Sequence, residues 1–214
     1  MRLTIVKASG LVALLWLGGC ESAYYGTMER FGFHKRDILV DRVEAAAESQ
    51  QKAKEQFETA FEQFASVVEV PASELSATYD RLSDAFEDAE ARAEEVRERI
   101  DAVESVSKAL FREWESEIEQ IGSDDLRRSS ARQLERSQDR YENLMAAMRR
   151  AEERMDPVLD TFRDYVLYLK HNLNAQAIAS LEGEVSGVEA DVSTLIRDMQ
   201  AAIDEARAFV DSME

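Results

Sequence analysis

A run of about 47 residues without Pro or Gly, from Leu75 to Ile121, constrains this chain more than any other feature. Apolar residues recur along it in alternating steps of four and three, an average of about 3.5 residues per turn. The apolar stripe therefore stays on one face of a slightly supercoiled helix, roughly 70 Å long. One helix cannot bury such a stripe alone, so the rest of the chain must supply helical partners. The stripe is formed by Leu75, Tyr79, Leu82, Phe86, Ala89, Ala93, Val96, Ile100 and Val103.

Three further segments carry the same period and are predicted to be helices. The first runs from Asp37 to Glu69, the third begins after Ser123, and the fourth begins at Ala175 and continues as one helix. The third segment keeps its phase past Pro157, which predicts a kinked helix rather than a broken one. In the first segment the stripe consists of Leu39, Val43, Ala46, Gln50, Ala53, Phe57, Ala60, Phe64 and Val67.

The connections between these segments are short. Pro71 ends the first helix, and Ser73 is the predicted N-cap of the second. Gly122 marks the second corner, and Asn172 with Asn174 marks the third. Because short connections make neighbouring helices run antiparallel, we expect an all-α protein, an elongated antiparallel four-helix bundle of the coiled-coil type. The third segment is relatively basic, so its arginines are expected to pair with the acidic second and fourth helices.

The N-terminus has the pattern of an export signal. Arg2 and Lys7 precede the apolar run Leu11–Leu17, which is shorter than the roughly 20 residues that span a bilayer. The tetrapeptide ending at Cys20 resembles a bacterial lipobox, in which the thiol is alkylated with diacylglycerol and the chain is cut just before it. An unmodified cysteine in an ordinary secretory signal is the alternative. The predicted divisions are a lipoprotein signal peptide (1–19), a lipidated tether (20–36) and a helical bundle domain (37–214).

The chain is strongly acidic, with 26 Lys and Arg against 44 Asp and Glu and a formal net charge of −18. Without residues 1–19 it keeps 24 basic residues against 44 acidic ones, a charge of −20. An anionic body repels nucleic acid and anionic headgroups, so we expect no nucleic acid partner and a membrane contact through lipidated Cys20 and acyl chains such as palmitate. Glu21 stands where an Asp is the better-known inner-membrane retention signal. We therefore expect the periplasmic face of the bacterial outer membrane, with the inner membrane as the alternative.

The sequence contains no recognisable arrangement for catalysis or metal binding. Cys20 is the single cysteine, no Gly is followed by Lys, and His34 and His171 are far apart in the chain. Carboxylates on solvated helix faces lack the cleft that separates the pKa values of a catalytic pair. We therefore expect no enzymatic activity, no catalytic residue, no metal and no cofactor.

Two groups of residues are candidate interaction sites. If the first two helices pack antiparallel, a membrane-proximal cluster is formed by Lys35, Arg36, Arg112 and Trp114. The third corner offers cationic and amide donors as a binding tip, formed by Lys170, His171, Asn172 and Asn174. For both groups the alternative is that the side chains only satisfy the polar groups of helix ends.

A stripe of four arginines at i, i+4 spacing follows one face of the third helix. It consists of Arg128, Arg132, Arg136 and Arg140. The interpretation we favour is that these arginines pair with the acidic helices beside them. Binding to a phosphate backbone or an anionic glycan is the alternative.

Three runs of sequence carry a resemblance to a known family. They are YYGTMERFGFHKRDILVDRVE after the lipobox, ALFREW near the end of the second helix, and PVLDTFRDYVLYLKHNLNAQAI across the third corner. In this combination the chain resembles the bacterial lipoproteins catalogued as domain of unknown function 2959. The resemblance covers essentially the whole mature chain and implies a helical lipoprotein, with no particular activity.

These features together predict a lipid-anchored periplasmic scaffold or adaptor of the bacterial envelope, with an envelope protein as its partner. The alternative is a ligand- or stress-sensing envelope module, with a small apolar pocket near Pro157 lined by Phe162, Tyr165 and Tyr168. A homo-oligomer also stays open, because an apolar stripe can be completed between chains.

Overall fold

The computed structural model describes residues 34–71 and 73–213. Five α-helices and no strand occur within these residues, which confirms the all-α prediction. The predicted signal peptide, Cys20 and the predicted tether as far as residue 33 lie outside the described residues. The helices are α1 (Lys35–Val67), α2 (Leu75–Gln120), α3 (Asp124–His171), α4 (Ala175–Glu182) and α5 (Val185–Asp211).

Helix α1 follows its sequence pattern closely. All nine residues of its predicted stripe are buried. The helix begins and ends two residues earlier than predicted, which is the ordinary uncertainty of helix boundaries. In α2 the stripe is also buried except at Tyr79, which is half-exposed, while the neighbouring Thr78 is buried.

The predicted helix starts have mixed outcomes. Ser123 caps α3, since its hydroxyl accepts a hydrogen bond from the backbone N–H of Leu126 at 3.5 Å. Ser73 is not the N-cap of α2, because Glu74 occupies that position and makes no capping side-chain bond. Helix α3 continues through Pro157 without a break, as its phase predicted.

The prediction that the fourth segment forms a single helix is wrong, because the structure divides this segment into α4 and α5. The chain makes a tight turn at Gly183 and Glu184, where the Glu184 N–H donates to the Leu181 carbonyl at 2.9 Å. Gly183 favours a break at this point, because Gly lowers helix stability by about 1 kcal/mol relative to Ala. A second glycine, Gly187, follows four residues later. Leu181 and Val188 on either side of the turn are still buried, so the apolar stripe continues across it.

Each long helix packs most extensively against two others. The packed pairs are α1 with α2, α2 with α3, α3 with α5, and α5 with α1. At one end, called the proximal end, Lys35 Nζ lies 2.8 Å from Glu113 Oε1, so the start of α1 lies beside the end of α2. At the other, called the distal end, the ring of Phe64 stacks on Tyr165 with centroids 4.6 Å apart. The end of α1 therefore lies beside the end of α3.

Arginines in the middle and last part of α3 connect it to its neighbours. Arg149 Nη2 lies 2.8 Å from Asp101 Oδ1 and 2.7 Å from Glu104 Oε2, both on α2. Arg163 pairs with Glu90 of α2, and Arg154 pairs with an aspartate of α5. For this part of α3 the predicted pairing with acidic neighbours is confirmed.

Candidate functional site at the proximal end

A cavity of about 510 Å³ opens at the proximal end. It is bounded by the start of α1, the last turns of α2, the first third of α3 and the residues that follow α5. Its lining combines three arginines, two glutamates, small polar side chains and an apolar wall. The lining residues are Arg36, Leu110, Glu113, Trp114, Glu117, Gln133, Arg136, Ser137, Arg140, Ser212 and Met213.

The side chains that line this cavity carry a net positive charge, in contrast with the acidic chain as a whole. Arg36, Arg136 and Arg140 are exposed, and none has an ion-pair or hydrogen-bond partner in the described part of the chain. Glu113 is neutralised by Lys35, whose side chain is only 10% exposed. Among the residues that the structure describes, three arginines therefore line the cavity with one further carboxylate, that of Glu117.

Trp114 gives the cavity a fixed wall. Its indole Nε1–H donates a hydrogen bond of 2.9 Å to the Ser130 hydroxyl, which links the end of α2 to the start of α3. Because that N–H is already used, the ring offers mainly its apolar surface to the cavity. Next to this wall Phe111 and Tyr141 pack edge to face with centroids 5.4 Å apart. Burial raises the pKa of the Tyr141 phenol.

The predicted membrane-proximal cluster is brought together in part. Lys35, Arg36 and Trp114 meet at the proximal end, where Lys35 pairs with Glu113 and the other two line the cavity. Arg112 does not line it, because its Nε donates to the Lys108 carbonyl at 3.0 Å on the exposed side of the same helix.

The arginine stripe of α3 does not make the predicted pairs with acidic helices. Arg128 pairs with Asp125 within the first turns of α3 itself. Arg132 has no ion pair among the residues that the structure describes, and Arg136 and Arg140 line the cavity. The regular i, i+4 spacing places these side chains on one face, but it does not reveal what lies opposite them.

At the distal end the two asparagines of the predicted binding tip serve as helix caps. Asn174 Oδ1 accepts from the N–H groups of Gln176 and Ala177 at 3.1 Å, and Asn172 Nδ2 donates to the Tyr168 carbonyl at 2.8 Å. Lys170 and His171 are exposed in the last turn of α3. The positive charge of Lys170 is favourable there because of the helix dipole.

The distal corner also exposes apolar side chains that the sequence pattern did not single out. Four large hydrophobic residues are exposed in the described part of the chain, and three of them lie at this corner. The three are Leu167 (55% exposed), Tyr168 (40%) and Leu173 (37%). A signal was present, because Leu167 and Tyr168 fall outside the helical stripe that contains Leu169.

The surface beside Pro157 has a depression of about 340 Å³, but most of its lining is charged. Arg150, Glu153, Arg154 and Asp191 line it together with Pro157 and Val158. The aromatic residues predicted for an apolar pocket lie elsewhere. Phe162 is fully buried, Tyr165 stacks on Phe64, and Tyr168 is exposed at the distal corner.

Two further observations concern the residues that the structure describes. Among them, no group of three or more His, Cys, Asp or Glu side chains is arranged to hold a metal ion. No helix in this part of the chain combines the length and the apolar character that crossing a bilayer requires.

Comparison with known proteins identifies a family. A family model described as "Protein of unknown function (DUF2959)" matches residues 24–213. No curated protein and no solved structure matches the chain. The matched range includes all five helices, the proximal cavity and the distal corner. The chain therefore belongs to the DUF2959 family.

Proposed function

We propose that this protein is a lipid-anchored helical scaffold or adaptor of the bacterial envelope, without catalytic activity, held at the periplasmic face of the outer membrane by Cys20. In this proposal the body is an antiparallel four-helix bundle whose fourth member is α4 and α5 together. One end carries the lipid tether, and the other presents a contact surface to an envelope protein.

The contacts of α1 support the antiparallel arrangement. Its first residue, Lys35, pairs with Glu113 near the end of α2. Further along, Lys54 Nζ donates to Gln200 Oε1 of α5 at 3.0 Å, and Phe64 near its end stacks on Tyr165 near the end of α3. These contacts support a bundle in which α1 runs opposite to α2 and in the same direction as α3, as an up-down-up-down order requires.

The observation that carries the adaptor proposal is the distal corner. Exposed apolar side chains gathered at one place are typical of protein interaction sites. Leu167, Tyr168 and Leu173 supply the apolar contact, and Lys170 supplies positive charge on a chain of net charge −18. The corresponding partner is a protein surface with an apolar patch rimmed by carboxylates.

Photo-crosslinking in intact cells tests the adaptor proposal. A photoreactive residue replaces Lys170, and a matched probe replaces Glu98, an exposed position in the middle of α2. We expect a discrete adduct from position 170 alone. Equal adducts from both positions, or none from either, would count against a partner at the distal corner. An adduct with the mass of a second copy of the chain would instead support a homo-oligomer.

Membrane fractionation tests the anchor separately. The Cys20→Ala variant is expected to leave the membrane fraction, because no thioether can form. The matched control Ser22→Ala is expected to stay in the outer-membrane fraction of a density gradient. Retention of Cys20→Ala in the membrane would refute lipidation, and sedimentation of the wild type with the inner membrane would refute the outer-membrane assignment.

The alternative role as a sensing module has less support. Its proposed apolar pocket would need the aromatic residues near Pro157, but Phe162 and Tyr165 pack against α1. An apolar dye that bound the purified chain and was displaced by Val158→Trp would favour this role.

A further inference from the structure

We propose that the proximal cavity is a binding site for an organic phosphomonoester. The phosphate would be held by Arg36, Arg136 and Arg140, and the organic part would lie along Leu110, Trp114 and Met213. This goes beyond the adaptor role and does not depend on lipidation of Cys20.

The arginines of the proximal cavity differ from most of those in the second half of α3 in having no carboxylate partner among the described residues. The chain has 44 acidic residues, and in the second half of α3 Arg149, Arg154 and Arg163 each pair with a carboxylate of a neighbouring helix. Arg150 in the same half has no ion pair among the described residues. At the proximal cavity three guanidinium groups have no such partner in the described part of the chain. Mutual repulsion between unpaired like charges is unfavourable, and an anion in the cavity would relieve it.

The hydrogen-bond donors of the cavity come from two helices and include charged and neutral groups. Arg136 and Arg140 lie one turn apart on α3, and Arg36 lies at the start of α1, so arginines from two helices line one cavity. A guanidinium is a planar fork that matches phosphate oxygens two at a time. The Ser137 hydroxyl and the Gln133 amide provide neutral donors beside them. A phosphomonoester, with up to two negative charges and three terminal oxygens, uses such a set more fully than a carboxylate does.

The volume of the cavity allows a ligand larger than a phosphate group. A cavity of about 510 Å³ falls within the range of ligand pockets for small organic molecules, about 300–1,000 Å³, and exceeds the space that one phosphate group fills. Its remaining wall is formed by Leu110, Trp114 and Met213. Trp114 is held in place by its bond to Ser130, so this wall is preorganised for an apolar or sugar-like group.

A phosphomonoester can come from a lipid headgroup or from a soluble metabolite, and the same experiment separates the two. The full chain in neutral detergent carries Trp16→Phe, which leaves Trp114 as the single tryptophan. Its fluorescence is titrated with sn-glycerol 3-phosphate, with dihexanoyl phosphatidic acid, and with glycerol as the neutral control. We expect saturable binding of at least one phosphate probe and none of glycerol. Binding of phosphatidic acid alone assigns the lipid source.

Matched arginine variants make the test specific. Arg136→Gln and Arg140→Gln are each expected to weaken binding at least tenfold, because each removes a charged donor. Arg132→Gln removes the same charge from the same stripe outside the cavity, and we expect less than a twofold change. Arg140→Lys, which keeps the charge and loses the fork, should fall between them. Equal losses from Arg132→Gln and Arg140→Gln, or no saturable binding of either phosphate probe, would overturn the proposal.

Discussion

Two stretches of α3 use arginine in opposite ways. The paired stretch joins α3 to carboxylates on α2 and α5 through Arg149, Arg154 and Arg163, while Arg150 between them has no ion pair among the described residues. The unpaired stretch has no carboxylate partner in the described part of the chain, and its members are Arg132, Arg136 and Arg140. The same residue type thus fixes one helix against another in the first case and leaves charge available in the second. The difference lies in what the neighbouring helices place opposite each arginine.

Arg149 shows how strongly the paired stretch is held. Burial opposes its charge, but hydrogen bonds to Glu152, Asp101 and Glu104 together raise its pKa above the ordinary value. Two of these three carboxylates belong to α2, so the bonds fix the register of two helices. No comparable network surrounds the arginines of the proximal cavity among the described residues.

The largest effect is expected at the core residue between the two stretches. Leu144 is fully buried, so Leu144→Ala removes apolar contacts and leaves a cavity in the core beside α3, between the two stretches along the helix. We expect a loss of about 3 kcal/mol in the free energy of unfolding, measured by urea denaturation. The exposed neighbour Glu142→Ala serves as the control and should change stability by less than about 0.5 kcal/mol. A loss below about 1 kcal/mol at Leu144 would mean that the two stretches do not share one packed core.

A second prediction contrasts an unpaired polar group in the core with the unpaired arginines at the surface. Gln50 is fully buried, and its amide has no hydrogen-bond partner in the described part of the chain. An unsatisfied buried amide costs about 1–3 kcal/mol, so Gln50→Leu should raise the free energy of unfolding by about 1–2 kcal/mol. The half-exposed Gln51, which donates to Glu55 at 2.7 Å, provides the control Gln51→Leu with no gain. Destabilisation by Gln50→Leu would show that the amide contributes a specific contact.

The sequence predicted the parts of this structure that depend on periodicity. All nine stripe positions of α1 are buried, and α3 passes Pro157 as its phase indicated. Periodicity specifies which face of a helix is buried, and it does not specify what stands opposite a charged side chain. For that reason the pairing of Arg140 was predicted wrongly, although Arg149 on the same helix does pair. The division of the fourth helix at Gly183 was missed because the apolar stripe continues through the turn.

Replacing an arginine should lower the free energy of unfolding more in the paired stretch than in the unpaired stretch. Arg149→Met keeps the apolar stem and removes all three hydrogen bonds to carboxylates, so we expect a loss of about 1 kcal/mol in a partly exposed network. Arg140→Met should change the free energy of unfolding by less than about 0.5 kcal/mol, since no ion pair is lost among the described residues. Equal losses would mean that the two stretches contribute alike to stability and that the comparison fails.

The smallest expected effect is the pH dependence of the difference in stability between Arg149→Met and Arg140→Met. The pKa of Glu104 is lowered by hydrogen bonds from Lys108 and Arg149. A carboxyl whose pKa is lower in the folded state adds stability above its unfolded pKa, near 4.3, and this stability is lost as the pH falls through the folded value. The cost of Arg149→Met should therefore be full at pH 7 and shrink by a few tenths of a kcal/mol or more near pH 3.5. Arg140→Met should show no such trend, because no carboxylate of the described residues pairs with it. Urea midpoints of the wild type and both variants at pH 7, 5 and 3.5 measure how the cost of each substitution depends on pH. If the cost of Arg149→Met stayed constant with pH, the packing of the arginine side chain, and not its ion pairs, would hold the paired stretch.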